Sequence, residues 1–230
     1  MEITIDHLTA GAARAEGVAV VIDVFRAYTF ESFAYWRGAE RIYPVAALEE
    51  AYALRNAHPE YLLAGERKGR KAEGFDFGNS PAEIETADLR GRRILHTTSA
   101  GTQGVEAAVH AQRILLAALV NARATVEYIR RLSPRRVSFV CMGYQNQRVT
   151  LEDLTCAEYM RAMLLEEPYD LAARTPALRE GPGARFFIPG HQDFAPERDF
   201  FLCMEADRFP FAMQVEQDET GLRCARKIML

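Results

Sequence analysis

Residues 18–26 read VAVVIDVFR, a nearly continuous apolar run that ends on an acid and a base. Short runs of this kind are typical of strands that are buried on both faces of a parallel sheet. Similar runs occur at 61–63, 93–96, 114–120 and 137–143, and polar residues follow each of them. Because ligands bind at the carboxyl ends of strands in open α/β sheets, this repetition predicts a functional site at the strand ends.

Helical patterns separate several of the strand candidates. Apolar residues recur near every 3.6 positions in 46–56, 122–132 and 154–165. This alternation predicts an α/β fold whose mostly parallel sheet is covered by helices on both faces. At the C-terminus, 209–216 and 222–228 flank a polar turn, which predicts a β-hairpin and makes the sheet mixed. The strand candidates before this hairpin are 18–24, 41–45, 61–64, 92–96, 114–120 and 137–141.

The length of 230 residues fits a single α/β domain that spans 1–230. Prolines and glycines interrupt 166–198, so surface loops and short helices are expected there. A second lobe around 166–230 stays open as an alternative.

Composition excludes several classes of partner. The net charge of −4 provides no basic field for nucleic acid. No apolar run approaches the roughly 20 residues of a membrane span, so no membrane partner is expected. The N-terminus lacks a signal-peptide pattern, which favours a cytoplasmic protein. The four cysteines are widely spaced, and we expect buried apolar residues rather than a zinc site or disulfides.

Residues 65–81 combine four cations, three carboxylates and four glycines. Isolated charges are too costly to bury, and this much glycine disfavours a helix. The segment therefore predicts a loop whose charges are displayed, which suits a metal ion and an anion together. The cations of 67–71 exceed what one phosphate needs, which favours a substrate with a second anion.

Three further groups of residues are candidates for chemistry, each with a structural alternative. Asp23 is a metal ligand or an acid/base, unless it only pairs with Arg26, whose planar guanidinium suits oxyanions. The hydroxyls and glycine of 97–102 precede a helix and form either an anion cradle or an ordinary N-cap. Asp76 and Asn79 lie upstream of a Ser80–Glu83 capping box that does not account for them.

The remaining candidates open helices. Glu152 and Asp153 suit Mg²⁺ as hard oxygen donors, although acids in a first turn also complement the helix dipole. Asn121 fits an N-cap that points into the same end of the sheet. Neither Cys141 nor Cys156 has an arginine at the spacing of cysteine-dependent phosphatases, which have five residues between the two.

These segments together resemble the 2-phosphosulfolactate phosphatase family. The matching pieces are VIDVFRA at 21–27, AGER at 64–67, EGFDFGNSP at 73–81, TTSAGT at 97–102, Asn121-Ala122, Cys141-Met142-Gly143, Glu152-Asp153 with Cys156-Ala157, and Asp207-Arg208-Phe209. They cover most of 18–216, and the GFD-x-GNSP piece is highly specific. The chain differs from the usual family pattern at 99–100, at Met142 and at 144–148.

The resemblance implies a three-layer α/β/α fold with a mixed sheet, Mg²⁺ dependence and hydrolysis of the phosphate ester of 2-phospho-3-sulfolactate. In the family this step belongs to coenzyme M biosynthesis. We therefore interpret the chain as a Mg²⁺-dependent phosphatase whose partner is a small anionic phosphoester. The expected catalytic residues are Asp23, Arg26, Glu66, Arg67 and Asp76. The expected substrate-binding residues are Lys68, Asn79, Thr97, Thr98, Ser99, Gly101, Thr102 and Asn121.

Metal ligands are expected among Asp23, Glu66, Asp76, Glu152 and Asp153. Because Mg²⁺ needs only one or two protein carboxylates, not all five can be direct ligands. Two alternatives stay open: a non-catalytic protein that binds an anionic metabolite, and a phosphatase for a different phosphoester. Direct attack by water, a covalent intermediate and a homo-oligomer are also left open.

Overall fold

A computed structural model describes all residues from 1 to 230. The strands are β1 (Glu2–His7), β2 (Gly17–Ile22), β3 (Arg41–Pro44), β4 (Leu62–Arg67), β5 (Arg70–Lys71), β6 (Arg93–Thr97), β7 (Ala111–Ala117), β8 (Arg136–Cys141), β9 (Phe211–Gln217) and β10 (Arg223–Met229). The helices are α1 (Leu8–Ala12), α2 (Ala27–Trp36), α3 (Leu48–Ala57), α4 (Pro81–Ile84), α5 (Gly101–Ala107), α6 (Ala122–Leu132), α7 (Leu151–Leu165), α8 (Thr175–Glu180) and α9 (Glu197–Cys203). Short 3₁₀ turns occur at Leu119–Asn121, Ala172–Arg174, Pro182–Phe187 and Pro189–His191.

All ten strands form one mixed sheet in the order β1-β8-β2-β7-β9-β10-β3-β6-β4-β5. Five of its nine strand pairings are parallel, which confirms a mostly parallel sheet. The C-terminal hairpin of β9 and β10 is also confirmed, and it lies inside the sheet between two parallel groups. Because three antiparallel pairings separate β7 from β3, the two parallel groups run in opposite directions.

Helices complete the predicted three-layer α/β/α architecture. α1 and α5 pack against the strands at the β1 end of the sheet, and α6 and α7 pack against β1, β2 and the strands from β7 to β9. No helix combines the length and the apolar composition needed to cross a membrane.

The helix α2 positions the functional site because it is buried on every side. Each residue from Ala27 to Tyr35 is at most 1% exposed. The polar members Thr29 and Ser32 donate to backbone carbonyls earlier in the chain, and Glu31 contacts His96. The Tyr35 hydroxyl bonds to backbone atoms of β10 and β3, and Phe33 packs edge-on to Phe209 at 5.0 Å. These contacts anchor the C-terminal half of α2, and the Thr29 hydroxyl, which donates to the Val24 carbonyl at 2.9 Å, ties its first turn to the Asp23–Arg26 turn that follows β2.

The strand predictions place most of the sheet correctly, with shifts at the ends. β2 ends at Ile22, so Asp23 lies just beyond the strand, and β4 extends to Arg67. The sequence prediction misses β1, an edge strand whose residues are only half-buried and therefore give a weak apolar signal. Within 166–198 there are short helices and turns, and Phe186 joins the main core.

Candidate active site

A cavity of about 40 Å³ lies where the segments after β2, β4, β6 and β8 meet. The Tyr28 hydroxyl donates to the Gly101 carbonyl at 2.7 Å and thereby ties the segment after β6 to the start of α2. Strand ends from both parallel groups thus contribute to one site. The polar side chains that line the cavity are Asp23, Arg26, Glu66, Asn79, Ser99, Tyr144, Gln145 and Arg185.

Asp23 is the acid with a carboxylate oxygen free at this cavity. Its Oδ1 accepts a hydrogen bond from the Ala27 N–H at 3.2 Å, and its Oδ2 accepts none. Burial, and to a lesser extent the nearby Glu66 carboxylate, raises the pKa of Asp23 to about 6. At neutral pH this side chain is therefore a charged, weakly solvated carboxylate.

Arg26 does not pair with Asp23, in contrast to the structural alternative drawn from the sequence. Its Nη1 donates to Asp199 at 2.6 Å and to the Phe194 carbonyl at 2.7 Å, and its Nη2 donates to the Gly69 carbonyl at 3.1 Å. The Arg26 and Asp199 side chains are 4% and 0% exposed. Asp199 thus holds the Arg26 guanidinium in place at the cavity.

Glu66 connects two loops of the site. Its Oε2 accepts from the Gly69 N–H at 2.6 Å, and its Oε1 accepts from the Ser99 N–H at 2.7 Å. The carboxylate therefore occupies the backbone donors of two loops that the sequence predicts to hold an anion. Ser99 and Ala100 still line the cavity beside this carboxylate.

Asp153 likewise connects the segments that follow β2 and β8. Its two oxygens accept from the Val24 and Gly143 N–H groups, each at 2.8 Å. The neighbouring Glu152 has an Oε2 that is buried without a hydrogen-bond partner. Burial raises the pKa of Glu152 to about 7 and that of Asp153 well above its usual range. The protein alone therefore offers too few hydrogen-bond donors to the buried carboxylates of Glu152 and Asp153.

The rest of the Thr97–Thr102 loop lies behind the cavity wall. Thr97 Oγ1 accepts from Arg67 at 2.9 Å, and the Thr102 N–H donates to Thr98 Oγ1 at 3.3 Å. Gly101 is a close-packing position, since a Cβ there would lie 3.1 Å from Asp23 Oδ2. Arg67 also bonds to two backbone carbonyls, so its guanidinium fastens the loop to β4.

Three predicted site residues lie away from the cavity. The Asp76 carboxylate accepts from the Leu63 N–H at 2.8 Å and from Arg55 at 2.9 Å. Asn121 is fully buried and bonds to backbone atoms of its own turn. Lys68 is exposed. Asn121 therefore serves the backbone of its own buried turn, whereas the exposed Asp76 carboxylate is held by the β4 backbone and by Arg55.

Asn79, by contrast, reaches the cavity and is supported from behind. Its Oδ1 lies 3.1 Å from His96 Nε2, and His96 Nδ1 lies 2.8 Å from Glu31. All three side chains are buried. His96 thus contributes to the site by positioning Asn79.

Sequence reasoning missed Arg185 and Asp199. Arg185 enters the site from the Pro182–Phe187 turn, and its Nη2 donates to the Phe25 carbonyl at 2.7 Å. Burial, together with the neighbouring Arg26, lowers the pKa of its guanidinium. The Phe186 ring lies beside both guanidinium groups, with its centre 5.8 Å from that of Arg26 and 5.0 Å from that of Arg185. No local motif around Arg185 or Asp199 signals this arrangement.

The carboxylates of the site suit a Mg²⁺ ion that takes only one or two ligands from the protein. No group of three or more His, Cys, Asp or Glu side chains lies close enough together to hold a metal ion. Mg²⁺, however, is usually bound by one or two carboxylates together with waters and substrate phosphate oxygens. Asp23 Oδ2 and the unpartnered Glu152 Oε2 are donors of this kind. Asp76 does not line the cavity, and its Oδ2 is already bound by the Leu63 N–H and by Arg55.

Comparison with known proteins places the chain in a family. The family model described as "2-phosphosulpholactate phosphatase" matches residues 4–179. A protein of Caldicellulosiruptor saccharolyticus is 37% identical over 66% of this chain and 64% of its own length. A protein of Deinococcus radiodurans is 37% identical over 76% of this chain and 75% of its own length. A protein of Bacillus subtilis is 27% identical over 87% of this chain and 88% of its own length. All three are named "Probable 2-phosphosulfolactate phosphatase". The chain therefore belongs to the 2-phosphosulfolactate phosphatase family, a family of phosphoric monoester hydrolases, as its motifs predict.

Proposed function

We propose that this protein hydrolyses the phosphate ester of a small anionic acid, 2-phospho-3-sulfolactate or a related phospho-acid, with Mg²⁺. The observation that carries the proposal is the cavity in which the free Oδ2 of Asp23 lies near two guanidinium groups, those of Arg26 and Arg185. Family membership supports the reaction type, and the names of the relatives support the substrate.

The arginines supply the positive charge that a phosphoryl group needs. Arg26 is held by Asp199, so its orientation costs little when the substrate arrives. Arg185 has no carboxylate within ion-pair distance, which leaves its charge available to phosphoryl oxygens. Fixed donors aimed at developing charge stabilise a transition state more than the ground state.

Asp23 and Glu152 are the residues that would hold Mg²⁺. When bound, the ion would neutralise phosphoryl oxygens and lower the pKa of a coordinated water. Asp153 and Glu66 fix the backbone around them through four hydrogen bonds to N–H groups. Asn79 presents its amide to the same cavity from the other side.

A phosphate-release assay tests the proposal. Purified protein should release phosphate from 2-phospho-3-sulfolactate faster than from a neutral phosphoester, and Asp23→Asn should lower turnover by orders of magnitude while the protein stays folded. Binding of the phospho-acid without phosphate release would instead indicate a non-catalytic binding protein. A strong preference for another phosphoester would reassign the substrate.

A further inference from the structure

The catalytic cavity is too small for a whole phospho-acid. Its volume of about 40 Å³ corresponds to roughly three water molecules on the scale where one needs 10–15 Å³. This space suits one tetrahedral oxyanion. The rest of the substrate must therefore extend into a neighbouring space.

A second cavity of about 280 Å³ adjoins the first. Tyr144 and Arg185 line both cavities and so form the boundary between them. Arg148 also lines the second cavity, and its guanidinium lies 5.7 Å from the centre of the Tyr144 ring. Arg185 lies 5.5 Å from the same ring. Two cations therefore flank one aromatic side chain next to the catalytic cavity.

The second cavity has more cations than acids in its lining, so its positive charge is only partly compensated. Arg148 and Arg185 have no carboxylate within ion-pair distance, and Glu152 is the one acid in the cavity lining. The Nε of Arg185 and the Oγ1 of Thr150 are buried without hydrogen-bond partners. A buried N–H donor without an acceptor is unusual in a folded protein, and an oxygen of a bound anion would supply that acceptor.

Three of the four cations that the sequence favours for a second anion are already engaged, and the fourth, Lys68, is exposed. Arg70 bonds to Asp193 at 3.1 Å and lies 3.9 Å from the Phe194 ring centre. Lys71 pairs with Glu83 at 3.4 Å, and Arg67 bonds to the protein itself. The cavity on that side also contains Asp193 and Glu83, which would repel an anion.

We propose that the second cavity, here called the Arg148 subsite, binds the second anion of the substrate, a carboxylate or a sulfonate. The phosphoryl group would lie at Asp23, and Arg185 at the boundary would contact both anions. The inference rests on the proposed function. Arg185 lies beyond residues 4–179 that match the family model, so part of this specificity would come from the chain outside the matched region.

The test uses two phosphoesters that differ only in the second anion, 2-phospholactate and isopropyl phosphate, in which a methyl group replaces the carboxylate. Arg148→Gln should lower kcat/KM for 2-phospholactate about tenfold, the effect of one charge-assisted hydrogen bond, and leave isopropyl phosphate within about twofold. Arg148→Lys should recover part of the loss. Arg70→Gln is the comparison variant and should keep the wild-type preference. If Arg70→Gln loses the preference and Arg148→Gln keeps it, the subsite is on the other side.

A binding measurement separates this inference from the proposed reaction. Calorimetry with sulfolactate, which carries a carboxylate and a sulfonate but no phosphate, needs no turnover. Arg148→Gln and Arg185→Gln should each weaken its affinity about tenfold or more. Weaker binding in a protein that releases no phosphate would refute the phosphatase function and keep the subsite. Unchanged affinity in both variants would refute the subsite, whatever the turnover.

Discussion

The buried ion pair between Arg26 and Asp199 gives the sharpest structural prediction. Asp199→Asn removes the charge that compensates a guanidinium only 4% exposed. The Asp199 Oδ1 also accepts from the Ser80 hydroxyl at 2.7 Å and from the Ala82 N–H at 3.0 Å. If the asparagine oxygen keeps those two bonds, its NH₂ group faces the Arg26 donor.

The expected cost follows from burial. Removing one partner of a buried ion pair costs about 3–5 kcal/mol, because the remaining charge stays unpaired in a poorly hydrated place. The matched control is Asp193→Asn, since Asp193 pairs with Arg70 nearby and is 66% exposed. An exposed pair contributes only about 0–1 kcal/mol.

Urea unfolding at neutral pH measures the unfolding free energy of both variants, and phosphate release measures their activity. Asp199→Asn should lose several kcal/mol of unfolding free energy, and its remaining folded fraction should show a reduced kcat, because Arg26 is no longer held. Equal and small losses in the two variants would refute the argument that Asp199 holds Arg26 in a desolvated pair.

Two further predictions concern Asp23 and the cysteines. The pKa of Asp23 rises from 3.8 to about 6 on folding, so the folded state binds the proton more tightly, and this residue lowers stability as pH increases from about 4 to 6. In urea unfolding measured in EDTA, Asp23→Asn should therefore be more stable than wild type at pH 8, by up to about 3 kcal/mol. The difference in unfolding free energy should vanish near pH 4. A variant that is less stable than wild type at pH 8 would contradict the burial argument. Burial raises the pKa of the Cys141 and Cys156 thiols well above the usual range, so Cys141→Ser and Cys156→Ser should each keep at least about a tenth of wild-type kcat, whereas loss of a nucleophile costs several orders of magnitude. A folded Cys156→Ser protein with only background activity would point to a phosphocysteine intermediate.

Local sequence patterns predict individual strands, helices and turns of this fold. The apolar run before Asp23 predicts both β2 and a carboxylate at its end, and the polar turn near the C-terminus predicts the hairpin. The position of that hairpin inside the sheet could not be predicted, because strand order depends on contacts between distant segments.

The same distinction applies to the site. Asp23, Arg26 and Glu66 follow buried runs, and the structure brings them to one cavity. The partner of Arg26 is Asp199, 173 residues away, and Arg185 reaches the site only because its turn packs against Phe25. Asp76 has a specific motif around it, yet the motif does not fix which way its carboxylate points.

Phosphate release from 2-phospho-3-sulfolactate, measured with the wild-type protein in Mg²⁺ and again after the metal is removed with EDTA, tests both the substrate and the metal ion. We expect steady turnover that disappears in EDTA and returns when Mg²⁺ is added in excess. Undiminished turnover in EDTA would contradict the assignment of Asp23 and Glu152 to a metal ion, and no turnover in either condition would contradict the assignment of the substrate.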